Sequence, residues 1–395
     1  MQHDHAGGPA STSALPVLLC LSHLRWDFVF QRPQHLMSRA TATHRVIYFE
    51  EPITAAAAAE PRLDVRRSPE GVLVATPVLR EGLDAASVDA AQRDLLDGLL
   101  ATMAASVAIA WFYTPLALDY AGHVRADVTV FDSMDELSLF RDASPRLVLA
   151  ERRLLKRADV VFCGGPSLFE AKRRMHGNAH LFPSSVDAAH FGKARNHHGA
   201  SPADQAALPE PRIGFFGVID ERLDPELLGA VAAARTDWQF VILGPVVKID
   251  PASLPRANNL HWLGMKSYAE LPAYLAGWDA GLMPFAINDA TRFISPTKTP
   301  EFLAAGLPVV STPIADVVSE WGKGGLVKIA ADTEAVVAAL ADALNRPRAA
   351  WLAQVDRRLS WMSWDVTWDR MLALIADAAT GVPLPIPSIE GPTHA

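Results

Sequence analysis

Apolar residues in this chain gather in short unbroken runs instead of alternating strictly with polar ones. They occupy residues 15–21, 45–49, 71–77, 107–113 and 128–131 in the first half, and 211–216, 239–243, 259–263, 278–285, 308–311 and 324–329 in the second. Runs of this length, bounded by turn residues, predict strands covered on both faces, as in parallel sheets. Residues 87–107, 332–344 and 361–378 instead carry apolar side chains at helical spacing, and 151–163 reads as a basic amphipathic helix running into a strand. Such alternation of strand and helix predicts an α/β fold. Residues 192–210 are rich in Gly, Ala, Pro, Asn and His and lack periodicity, so the domain boundary is placed there. The expected organisation is a disordered tail (1–14), a first domain (15–191), a linker (192–210), a second domain (211–360), a final helix (361–379) and a disordered tail (380–395). Trp361, Trp364 and Trp368, three and four apart, are expected on one face of that helix.

Within the second series, residues 295–311 predict a helix from Lys298, a stop at Gly306 and a buried strand. Thr297 fits the N-cap, and Pro300 fits the first turn, where no backbone N–H is needed. The opening Ser295-Pro296-Thr297-Lys298, with Arg292 upstream, offers free N–H groups, hydroxyls and cations, a match for a diphosphate. The same residues equally describe an ordinary capped helix with solvated charges.

Other candidates sit where strands end. After the first strand, His23, Arg25, Trp26 and Arg32 stand at the carboxyl edge, where open α/β sheets bind ligands. They are read as acceptor or diphosphate contacts, or as a surface loop stapled to the next helix by Trp26 and Phe28. The run ending at Phe131 is followed by Asp132-Ser133-Met134-Asp135-Glu136. Ser133 with Glu136 fits a capping box, which leaves Asp132 as the candidate general base.

Composition narrows the classes. A chain of 395 residues exceeds one typical core, and with 50% hydrophobic and 20% charged residues it can bury a large one. A net charge of -8 argues against a general nucleic-acid binder. Cys20 and Cys163 lie in apolar runs, which suits packed thiols in a reducing compartment. No uninterrupted apolar segment approaches the roughly 20 residues that cross a bilayer, and the start lacks the pattern of a signal peptide, so a cytoplasmic protein is expected.

The stretch 295–311 resembles the donor-site helix of GT-B glycosyltransferases of family four (glycosyl transferases group 1), through Pro296, Lys298, Glu301 and Ala305-Gly306-Leu307-Pro308-Val309-Val310. That resemblance implies two Rossmann-like doubly wound domains facing a cleft, with a nucleotide-sugar donor in the second and the final helix crossing back to the first. It implies that Glu301 holds the donor ribose and that Ser295, Pro296, Thr297 and Lys298 face the diphosphate. Gly217, Arg222 and Gly244 look like further parts of the donor site, and Gly264, Met265 and Lys266 match the positions that contact the base. Arg292 and Lys298 would carry the charge on the leaving diphosphate, so neither a metal ion nor a separate cofactor is implied. The acceptor would be a glycan, a lipid-linked glycan or a small molecule, with peripheral membrane contact through the basic 151–163 helix. The family generally retains anomeric configuration. Its usual second glutamate, eight residues before Glu301, is Phe293 here, and an inverting course would need a base such as Asp132 or His23. An epimerase of the same fold, or a non-catalytic nucleotide-sugar-binding relative, are the alternatives.

Overall fold

The computed structural model describes residues 15–56, 60–103 and 106–380. The tail read for 1–14 lies outside the described residues, as does the tail read for 380–395 except for Thr380, which ends the last helix.

The two series of apolar runs form two sheets. The first contains β1 (Val17–Ser22), β2 (Arg45–Glu50), β3 (Ile53–Ala55), β4 (Arg62–Arg67), β5 (Leu73–Arg80), β6 (Val107–Phe112), β7 (Ala126–Ser133), β8 (Val160–Cys163) and β9 (Ala179–Leu181), in the order β3-β5-β2-β1-β6-β7-β8-β9, with β4 on the outside of β5. The second contains β10 (Arg212–Phe216), β11 (Gln239–Leu243), β12 (Leu260–Trp262), β13 (Ala280–Met283), β14 (Val309–Ser311) and β15 (Val327–Ile329), in the order β12-β11-β10-β13-β14-β15. All pairings between these strands are parallel except β4 on β5. This is the two-lobed α/β architecture expected, apart from β3, β4 and β9. Those strands are short or largely exposed, so they have no apolar run to betray them.

Strand order reverses beside the first strand of each lobe. β1 lies between β2 and β6, and β10 between β11 and β13. Neighbouring connections leave in opposite directions at such a point and open a crevice beyond the carboxyl ends. The loops after β1 and β10 therefore sit where ligands bind.

Apolar side chains cover both faces of the first sheet and form one continuous core in the second lobe. Cys20 and Cys163 are buried free thiols in β1 and β8. The helix Trp364–Thr380 buries Trp364, Trp368, Met371 and Ile375, at helical spacing, on the face of the first sheet that carries Leu18, Trp111 and Phe162. Trp368 and Trp111 lie 6.1 Å apart, centroid to centroid. Trp361 departs from the expected stripe: it precedes the helix and is 82% exposed. No helix among the described residues is long and apolar enough to cross a membrane.

Candidate active site between the lobes

The site begins at the end of β10. Gly217 follows with φ +150, and Gly244, at the end of β11, has φ +144. A Cβ on Gly244 would lie 1.8 Å from the Gly217 carbonyl oxygen, so two loops meet here at a distance only glycine permits. A Cβ on Gly217 would meet Lys298 Cε at 3.5 Å. The bare backbone thus faces the start of the helix Lys298–Ala304 across a cleft that Ser295, Pro296, Thr297 and Lys298 also line. Pro300 falls in the first turn of that helix, and Gly306 ends it with φ +81. Thr297 stands at the cap position, but its hydroxyl caps nothing.

Lys298 donates to Glu301 at 2.8 Å and lies 4.7 Å from the centroid of the Phe216 ring. Burial raises the pKa of Glu301, and Lys298 partly offsets the rise. Glu301 is nearly buried behind its partner and does not line the cleft. Arg222 does line it, held by Asp220 at 2.9 and 2.7 Å, with its guanidinium 5.3 Å from the Phe140 ring of the first lobe. Arg292 departs from expectation: it is exposed and is not among the cleft residues. Met265 is exposed, and Lys266 is paired with Asp204 at 2.7 Å beside Tyr274; neither lines the cleft, nor does Gly264, whose φ is +71.

The first lobe corrects several expectations. Arg25 donates to Glu50 at 3.3 Å and to the carbonyls of Glu51 and Pro52. Trp26 is buried edge-on against Tyr48, and its backbone N–H donates to Glu50 at 2.6 Å. Both residues anchor the loop to the end of β2, so neither is free to receive an acceptor. Arg32 reaches the edge of the cleft but is spent on a buried pair: it donates to Asp132 at 2.8, 3.0 and 3.1 Å and to the Phe182 carbonyl at 2.6 Å. Asp132 is completely buried. The candidate base therefore has no face toward a substrate. Ser133 and Glu136 form no capping box, because Glu136 instead bonds Lys172 and Ser138.

His23 is half-buried and lines a smaller pocket next to the cleft with Tyr113 and Asp135. Burial, and secondarily Lys248, push its pKa down to about 4, so it is neutral near pH 7. Its Nδ1 is buried without a partner. The acid that does reach the cleft is Asp135, in the bend after β7. Sequence placed it in the right group of three acids, but only the burial of Asp132 and the engagement of Glu136 single it out. Phe293 is half-buried and packs against the core of the first lobe.

Two lobes with parallel sheets, switch points facing a shared cleft, and cations on the second lobe define a GT-B glycosyltransferase fold. Residues 210–346 match the model of the family described as Glycosyl transferases group 1. Solved structures bear out the whole-chain fold. The trehalose-6-phosphate protein from E. coli bound with UDP-2-fluoro glucose aligns over 93% of this chain and 100% of its own, with TM-score 0.68 and 13% identity. Anabaena HepE in complex with UDP and glucose aligns over 91% and 99%, with TM-score 0.60 and 13% identity. WaaG, a glycosyltransferase involved in lipopolysaccharide biosynthesis, aligns over 92% and 100%, with TM-score 0.58 and 13% identity. Among curated proteins, the putative teichuronic acid biosynthesis glycosyltransferase TuaH of Bacillus subtilis is 30% identical over 174 residues. That match spans 41% of this chain and 42% of the relative.

Proposed function

We propose that the protein transfers a hexosyl group from a nucleotide-diphosphate sugar to a glycan, lipid-linked or small-molecule acceptor, in the synthesis of a cell-surface polysaccharide or glycoconjugate. The observation that carries this reading is the convergence of bare backbone at Gly217 with Lys298 and Arg222 in the cleft between the lobes. Glycosidic bond cleavage leaves negative charge on the diphosphate, and fixed cations in a partly desolvated cleft stabilise that charge as it grows. Two such cations stand where a metal-dependent transferase would use a divalent ion, so the reaction proceeds without metal or added cofactor. Glu301 receives the donor ribose once Lys298 turns from it to the diphosphate, and the backbone after Gly264 meets the base. The buried free thiols favour the cytoplasmic side of the membrane, with any membrane contact peripheral.

Retention of configuration, which the family resemblance implies, has little local support. The position of the family's second glutamate is Phe293, which packs against the first lobe. The anomer of the product, read by NMR, tests it.

Thermal shift with UDP, GDP and ADP, followed by turnover of the matching sugar donors, tests the function. Lys298→Ala is expected to weaken nucleotide-diphosphate binding and to lower turnover by roughly 10²-fold. Unchanged affinity and unchanged rate would end this reading. Nucleotide binding without turnover on any acceptor would mark a binding protein of the same fold.

A further inference from the structure

The cleft between the lobes holds one charge without a partner. Among the described residues, the cations that line it are Arg32, Arg222 and Lys298, and each is matched by one carboxylate: Arg32 by Asp132, Arg222 by Asp220 and Lys298 by Glu301. Asp135, on the first-lobe wall, is the one carboxylate among the described residues that line the cleft, and it makes no hydrogen bond or ion pair with another of them. Its neighbours on that wall are the uncharged Gln31, Ser184, Val29 and Met134, together with Arg32, whose guanidinium is already engaged by Asp132 and the Phe182 carbonyl. Arg141, Lys248 and Arg292 are exposed and stand off the cleft wall.

A half-buried carboxylate that receives no hydrogen bond is left wanting donors. Burial raises the pKa of Asp135, and Arg222, the opposite charge that it feels most, offsets only part of the rise. Hydroxyl groups entering the cleft supply the missing donors. A phosphate or carboxylate entering there meets a like charge in a partly desolvated space.

Resting on the transferase reading above, we propose that Asp135 selects the acceptor: it receives hydrogen bonds from the hydroxyls of a neutral sugar and turns away a sugar that carries an acidic group. With the donor in place, Lys298 and Arg222 face its diphosphate, and no unmatched cation on the wall is left for a second anion. The Gln31 amide and the Ser184 hydroxyl both donate and accept, which suits a ring of sugar hydroxyls. Such a set discriminates because its own polar groups are left unpaired when the wrong acceptor enters.

The test uses the full chain saturated with UDP or GDP, and pairs of p-nitrophenyl glycosides that differ only at C6: glucoside with glucuronide, and galactoside with galacturonide. Binding is read by NMR titration, and turnover with UDP-glucose, UDP-galactose and GDP-mannose is the second readout. A neutral glycoside should bind, and its acidic counterpart should bind about tenfold more weakly or worse. Asp135→Asn should weaken the neutral glycoside about tenfold in Kd and in KM, with kcat changed less, and should erase the preference over the acidic counterpart. Asp135→Glu should keep that preference, and both variants should bind UDP or GDP within about threefold of wild type. Acidic glycosides bound as tightly as neutral ones by the wild type, a preference that survives in Asp135→Asn, or no glycoside binding to the nucleotide-loaded protein overturns the assignment of Asp135. The transferase reading stands in each of those cases if UDP or GDP binds and a donor is consumed. A wild-type protein that binds no nucleotide diphosphate and consumes no donor removes both.

Discussion

At the scale of single residues, the first lobe separates two aspartates three positions apart. Asp132, one residue before the end of β7, points into the protein, where it is fully buried and closed by three contacts from Arg32. Burial raises its pKa, and Arg32 pulls it back. Asp135, one bend further, is open to the cleft and unpaired. A buried pair that loses one member leaves an uncompensated charge in a poor dielectric. Asp132→Asn should therefore destabilise the protein by roughly 3–5 kcal/mol in urea unfolding. Molecules that remain folded should bind nucleotide diphosphate as wild type does. If Asp132→Asn were as stable as wild type yet inactive, the pair would be catalytic and not structural.

At the scale of elements, the final helix shows how spacing and position part company. Trp361, Trp364 and Trp368 share a spacing, yet the helix begins at Trp364 and leaves Trp361 in solvent. Trp368→Ala should cost about 3–5 kcal/mol, because it opens a cavity against Trp111. Trp361→Ala should stay within about 0.5 kcal/mol, and a pair of thermal melts distinguishes them. The same contrast explains what sequence could show. Strands buried on both faces announce themselves as apolar runs, so both sheets were legible except for β3, β4 and β9, which are short or largely exposed. In the second lobe the helix start at Lys298 could be read from its own residues, whereas Gly217 and Arg222, in the loop after β10, were reached only through the family resemblance. In the first lobe, Arg25, Trp26 and Asp132 were misread because their partners, Glu50 and Arg32, lie about 25 and 100 positions away in the chain. Local pattern carries no information about which way such a side chain turns.

At the scale of the whole molecule, the lobes touch through a few directed contacts at the rim of the cleft. The Ser167 N–H donates to Asp316 at 3.0 Å, the Arg141 N–H donates to Glu221 at 3.0 Å, and Phe30 lies 4.8 Å from Tyr268. Gly165 sits at the tightest of these contacts. A Cβ there would lie 2.2 Å from Asp316 Oδ2 and 2.7 Å from Ser295 Cβ, both on the opposite lobe. Gly165 has φ -164, extended backbone that alanine also adopts, so Gly165→Ala strains the contact between lobes and not its own chain. On the transferase reading, the nucleotide diphosphate meets Gly217, Arg222 and Lys298 on the second-lobe wall of the cleft, whereas transfer also needs the first-lobe wall brought up to it. Gly165→Ala should therefore leave nucleotide-diphosphate affinity within about threefold of wild type and lower turnover by at least tenfold, an error of about an ångström in placement being enough for such a loss. Small-angle scattering should show a larger radius of gyration for the variant in the presence of nucleotide. A variant with wild-type turnover would mean that the lobes already work further apart than this structure holds them.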